Sequence, residues 1–62
     1  MSIKKELVEK IQNNFKGNVE AMENILFYIE MGERIGDWDY YRALSYCIAL
    51  AKGEDVSMYV LY

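Results

Sequence analysis

Asp37 and Asp39 stand one residue apart, the spacing at which a calcium-binding loop presents its first two carboxylates. Such a loop needs an oxygen ligand at its fifth position and a glycine at its sixth. Tyr41 and Arg42 hold those places, so no calcium site is expected. Glu30 and Glu33 form a second carboxylate pair at helical spacing. Two such groups could share general acid and general base work, but in an acidic chain the same spacing describes a wet helix surface. Gly32 and Gly36 lack the following lysine–serine or lysine–threonine with which a glycine-rich loop holds phosphate. Cys47 is the sole cysteine. No second thiol or imidazole can complete a zinc tetrahedron with it, and no lysine, arginine or helix start beside it lowers its pKa. It is expected to be buried and inert. Histidine is missing from the chain, which removes the serine–histidine and cysteine–histidine nucleophile pairs. No metal, no cofactor and no catalysis are expected.

Aromatic rings are the abundant resource. Phe15, Phe27, Tyr28, Trp38, Tyr40, Tyr41, Tyr46, Tyr59 and Tyr62 fall within 62 residues. A domain of this size buries only about 60% of the surface its unfolded chain exposes, so the core lacks room for every ring together with the aliphatic side chains. Phe15, Phe27 and one edge of Trp38 are expected inside. Tyrosine and tryptophan tolerate one wet edge and offer large contact area, which concentrates them in binding hot spots. Trp38, Tyr40 and Tyr41 at the start of the third helix, with Met58, Tyr59, Leu61 and Tyr62 in the tail, are therefore expected to meet a protein partner. Stacking of nucleic-acid bases is the alternative use of these rings, opposed by the neighbouring acids Asp37, Asp39, Glu54 and Asp55.

Three helices must position these residues. Ile3, Leu7, Val8, Ile11 and Phe15 share one helical stripe, which predicts a helix over 3–16 capped by Ser2 and ended by Gly17. Asn18 is a good cap for a second helix over 19–32, where Val19, Met22, Leu26 and Ile29 make an apolar row. Phe27 and Tyr28 widen its apolar surface beyond one stripe. Gly32 to Asp37 reads as a loop, and Asp37 caps a third helix over 38–52 that Gly53 ends. The tail 54–62 is rich in β-branched and aromatic residues, but no other strand is evident for it to pair with. It is expected either as a docked helix capped by Asp55, or extended and paired with the same segment of a second chain. Left exposed, an uncharged, proline-free window of this kind aggregates.

Residues 24–53, with the Gly36-Asp37-Trp38-Asp39 turn and the alanine-rich helix after it, resemble one tetratricopeptide-type helical hairpin. The likeness covers about half the chain. Tyr41 stands where that repeat has its small packing residue, and Ala43 comes two residues late. No second repeat follows, although such arrays need three or more, so the resemblance implies a helix–turn–helix hairpin and no more.

Charge is uneven. Residues 1–16 carry four lysines against two glutamates, a balance of +2, and residues 17–62 carry three cations against eight acids, a balance of −5, for −3 overall. The acidic body repels phosphate backbones, and Glu6 and Glu9 interleave the lysines of the first helix, so nucleic acid is not an expected partner. Glu20, Glu23, Asp37 and Asp39 could steer a basic partner toward the chain, or imitate a run of phosphates. They also stand at helix starts, where acids suit the helix dipole.

One domain over 1–62 is expected, all-α: a small three-helix bundle, or a helical hairpin plus a third helix, with the hydrophobic C-terminal tail docked on the bundle or across a dimer. The lone cysteine points to the cytoplasm. Apolar runs of five residues are far short of the roughly 20 that span a bilayer, and the start of the chain lacks a signal-peptide core. The function expected is non-catalytic protein–protein interaction by a self-associating, dimeric acidic inhibitor or adaptor, a composition common among phage and mobile-element accessory proteins. The alternatives are a dimeric nucleic-acid-binding regulator and an acidic nucleic-acid mimic.

Overall fold

In the computed structural model, which describes residues 2–32 and 38–62, the chain runs β1 (Ser2–Ile3), α1 (Lys5–Phe15), α2 (Val19–Glu30), α3 (Trp38–Lys52) and β2 (Val60–Leu61). In α1, Val8 and Ile11 are buried with Leu7 and Phe15 half-buried beside them, the stripe that the three- and four-residue spacing predicts. The helix starts at Lys5, two residues later than expected, because Ile3 enters the core from a strand. Ser2 is therefore not its cap. Lys4 takes the cap position in extended conformation with no side-chain bond, and the backbone N–H of Lys5 donates to the Tyr62 carbonyl at 2.7 Å. The end of the chain satisfies a donor that a serine or aspartate would ordinarily serve.

Lys16 ends α1 in the left-handed region at φ 49, followed by Gly17 at φ 79. Two successive left-handed residues reverse the chain at once. Asn18 then caps α2 as expected, its Oδ1 accepting from the Ala21 N–H at 3.2 Å. This helix stops at Glu30, two residues short of the predicted end, with Gly32 at φ 86 completing the exit. The remaining loop residues 33–37, including the Asp37 cap, lie outside the described residues. The span of α3 matches the prediction. At its end the Gly53 N–H donates to Leu50 and the Glu54 N–H to Ala49, a Schellman closure that requires the left-handed conformation Gly53 adopts at φ 74.

The third helix is the centre of the bundle. It buries Ala43, Leu44, Tyr46, Cys47, Ile48 and Ala49, and both α1 and α2 pack on it. Ile11, Met22 and Leu44, one from each helix, are the largest fully enclosed side chains. The Glu23–Lys52 ion pair joins the start of α2 to the end of α3, and the Tyr41 hydroxyl donates to Glu30 across the other ends. These two helices are therefore antiparallel. The Cys47 thiol faces the Val8 carbonyl, while Asp39 shares a recess with the first turns of α1, so α1 runs parallel to α3.

The tail corrects one expectation directly. A partner strand does exist, and it is the start of the same chain: β1 and β2 pair in parallel with Ser2 opposite Val60 and Ile3 opposite Leu61, and the Tyr62 N–H donates to the Ile3 carbonyl at 3.0 Å. Ile3 belongs to this strand and not to α1. Asp55 does not cap a fourth helix; its Oδ1 accepts from the Ser57 N–H at 2.9 Å in a tight turn. Val56 and Tyr59 then rest on the core, with the Tyr59 ring edge-on to Tyr46 at 5.3 Å.

Candidate interaction surface

Because α2 and α3 are antiparallel and β2 returns to the start of α1, one end of the bundle gathers four elements. The beginning of α1, the end of α2, the beginning of α3 and the end of the tail all lie there. Exposed apolar side chains concentrate on the same segments: Phe27, Tyr28 and Met31 at the end of α2, Trp38 opening α3, and Val60, Leu61 and Tyr62 on the tail. Phe27 was expected in the core and is 56% exposed. Its position beside Tyr28 places it on the wide apolar flank of α2, the flank turned from α3; the two rings meet edge to face at 6.2 Å.

Trp38 is 59% exposed and held in place by Tyr41, whose ring stands at 5.4 Å and 76° to it. The Tyr41 hydroxyl in turn donates to Glu30 Oε2 at 3.3 Å. Desolvation, reinforced by the Glu30 charge, pushes the Tyr41 phenol above its ordinary pKa, so it stays protonated and keeps its donor role. Of the tail residues expected at a partner surface, Met58, Leu61 and Tyr62 are exposed, while Tyr59 is half-buried. Tyr40 and Tyr41 are half-buried as well, packed against the core on one side. Phe27, Tyr28, Met31 and Val60 were absent from the expected surface. The signal for the first two was present in the sequence, as apolar positions beyond the core stripe of α2.

The acids divide between the two ends. Glu20 lies in the first turn of α2 with Glu23 one turn further on, and Asp39 opens α3, so antiparallel packing places Asp39 toward the other end of α2, a helix of roughly 18 Å at 1.5 Å per residue. Asp37 lies outside the described residues. Glu23 accepts from the Lys52 ammonium at 2.8 Å, and Asp39 from Arg42 at 3.4 Å. The Glu23 hydrogen bond raises the Lys52 pKa.

At the opposite end, Gln12, Gly17, Met22, Cys47, Leu50 and Ala51 line an open recess of about 350 Å³. Burial pushes the Cys47 thiol up to about 11, and its contact with the Val8 carbonyl, at 3.7 Å, suits the protonated form. A thiol in that state is a packing group, not a nucleophile. Among the described residues no three acidic or thiol groups converge on a metal-sized site, and no helix is long and apolar enough to cross a membrane. Compared with protein-family models, with curated proteins and with solved structures, the chain finds no match.

Proposed function

We propose that this chain is a non-catalytic protein–protein interaction module, a small acidic inhibitor or adaptor of a cytoplasmic protein that also associates with itself. The observation that carries it is the exposure of Phe27, Tyr28, Met31 and Trp38 on the segments that meet at one end of the bundle. Large rings with rotamers already restricted lose little entropy on binding, and desolvating them supplies most of the affinity of an ordinary interface. Trp38 is braced by Tyr41 and is the natural anchor. Glu30 and Asp39 border this end and favour a partner whose contact surface is apolar with a basic rim. The partner acts by being covered, and no bond is made or broken.

Nucleic acid suits this end less well. Lys4 and Lys10 share their recess with Glu6 and Asp39, a mixed field that gives phosphate no net attraction. A phosphate mimic would need its acids in one row, and Glu23 and Asp39 are each paired with a cation. The test is capture from the cell of origin with the native chain as bait, repeated with Trp38→Ala and Phe27→Ala. Loss of the captured protein in both variants, with helix content unchanged, is the expected result. Undiminished capture by the double variant, or duplex DNA binding that weakens steeply with salt, overturns the proposal.

A further inference from the structure

The two-stranded ladder has unequal edges. The Ile3 side chain of β1 is buried against the core, and the next residue, Lys4, is occupied: its carbonyl accepts from the N–H groups of Leu7 and Val8 as α1 begins. The tail strand β2 is the outer one. Tyr62 turns both its backbone groups toward β1, its N–H to Ile3 and its carbonyl to Lys5. Because successive residues of a strand point their backbone groups to opposite edges, the N–H and C=O of Leu61 face away from β1, along the open side. The side chains of Val60, Leu61 and Tyr62 are all exposed, at 58%, 41% and 67%, with Leu61 the least so.

Residues 56–62 carry no charged side chain in a chain of net charge −3. A two-fold contact sets each surface against its own copy, so acidic surfaces repel in such a contact while this window brings no like-charged side chains together. A foreign basic partner would gain nothing electrostatic from it. Open edges are ordinarily blunted by shortness, lysine, proline or a bulge; β2 has no lysine or proline, and its two-residue length confines any pairing to the backbone groups of Leu61.

We infer that a second copy of this chain pairs antiparallel along the outer edge of β2, about a two-fold axis through Leu61. This deepens the self-association in the function proposed above and rests on that part of it. Leu61 and its symmetry mate exchange both N–H···O=C bonds, giving the sheet order β1–β2–β2–β1. Val60 of each copy then faces Tyr62 of the other, a β-branched residue against an aromatic ring, on the face that is exposed in the single chain.

Sedimentation equilibrium of the pure protein across a wide concentration range tests it, with three variants. The native chain shows a reversible monomer–dimer equilibrium. Val60→Lys puts a charge on the edge and raises the dissociation constant by about tenfold or more, with the circular dichroism of the helices unchanged. Tyr28→Lys, on α2, leaves the dimer intact. Leu61→Cys forms a linked dimer on mild oxidation, because directly opposed residues in a hydrogen-bonded pair have Cα atoms about 5.5 Å apart, within disulfide reach; Cys47 is buried and does not compete. A native chain that is monomeric throughout, a dimer untouched by Val60→Lys, or a Leu61→Cys chain that stays unlinked overturns the inference. Capture of a foreign protein by monomeric Val60→Lys leaves the Trp38 surface standing, so the two proposals fail separately.

Discussion

At the residue scale, Cys47 gives the sharpest test of the core. Its thiol is enclosed between α3 and the Val8 carbonyl, and burial raises its pKa from 9.0 to about 11. A raised folded-state pKa means the native chain holds the proton more tightly than the unfolded one. The associated stability is complete below pH 9.0, and it is lost as pH rises through about 11. Tyr41 and Lys52 are shifted in the same direction, so the melting temperature is expected to fall steadily in alkali, and Cys47→Ala should flatten the part of that fall that belongs to the thiol. Alkylation followed by mass spectrometry checks the same enclosure at neutral pH: an alkylating reagent should modify Cys47 only when denaturant is present. Rapid modification of the folded protein would mean that the recess beside Gln12 and Leu50 opens to the sulfur.

At the scale of elements, the helix ends are where single residues decide most. Asn18→Ala removes the oxygen that accepts from the Ala21 N–H and should cost about 1 kcal/mol. Gly53→Ala should cost a similar amount, about 1 kcal/mol. No atom crowds the added methyl within 4 Å, so the whole penalty comes from holding alanine at φ 74. Urea denaturation at constant slope measures both, and because the two caps share the end of the bundle where the Glu23–Lys52 ion pair joins α2 to α3, a double variant that departs from their sum reads the coupling between them. These caps were legible in the sequence because side chain and backbone chemistry act within one turn. The span of α3 was legible for the same reason, with glycine closing it and apolar residues at the helical period.

The strand pair was not legible, and the cause is physical. Two residues carry too little pattern to register as a strand, and Ile3 fits the helical stripe of Leu7 and Ile11 as well as it fits a ladder. What decides between them is the tail, which arrives from the far end of the chain with an N–H and a carbonyl to place. Phe27 failed for the complementary reason. Apolarity marks the flank of α2 as unsuited to water, but only the direction from which α3 approaches tells which flank is covered. Of the seven residues expected to meet a partner, Trp38, Met58, Leu61 and Tyr62 are exposed, while Tyr40, Tyr41 and Tyr59 spend one side on the core.

At the scale of the whole molecule, the chain is closed head to tail, and its stability depends on that closure. A domain of 62 residues has a total of about 3 to 9 kcal/mol to lose. Truncating a fully enclosed side chain, Leu44→Ala, should cost roughly 2 to 5 kcal/mol, a large share of that total, and lower the melting temperature accordingly. Removal of Val60, Leu61 and Tyr62 acts differently. It takes away no fully buried side chain, but it orphans the Lys5 N–H and the Ile3 carbonyl and uncovers Ile3. Each lost hydrogen bond is worth about 1 kcal/mol, so the bundle should persist with a lower melting temperature. The damage should be local as well as global. Because Lys4 supplies no side-chain cap, the first turn of α1 depends on the tail, and its amides should exchange with solvent faster by a larger factor than those of α3. Hydrogen exchange read residue by residue separates the two effects: uniform acceleration across all three helices would mean that the tail stabilises only the globule as a whole, whereas acceleration centred on residues 5–8 identifies it as the missing cap.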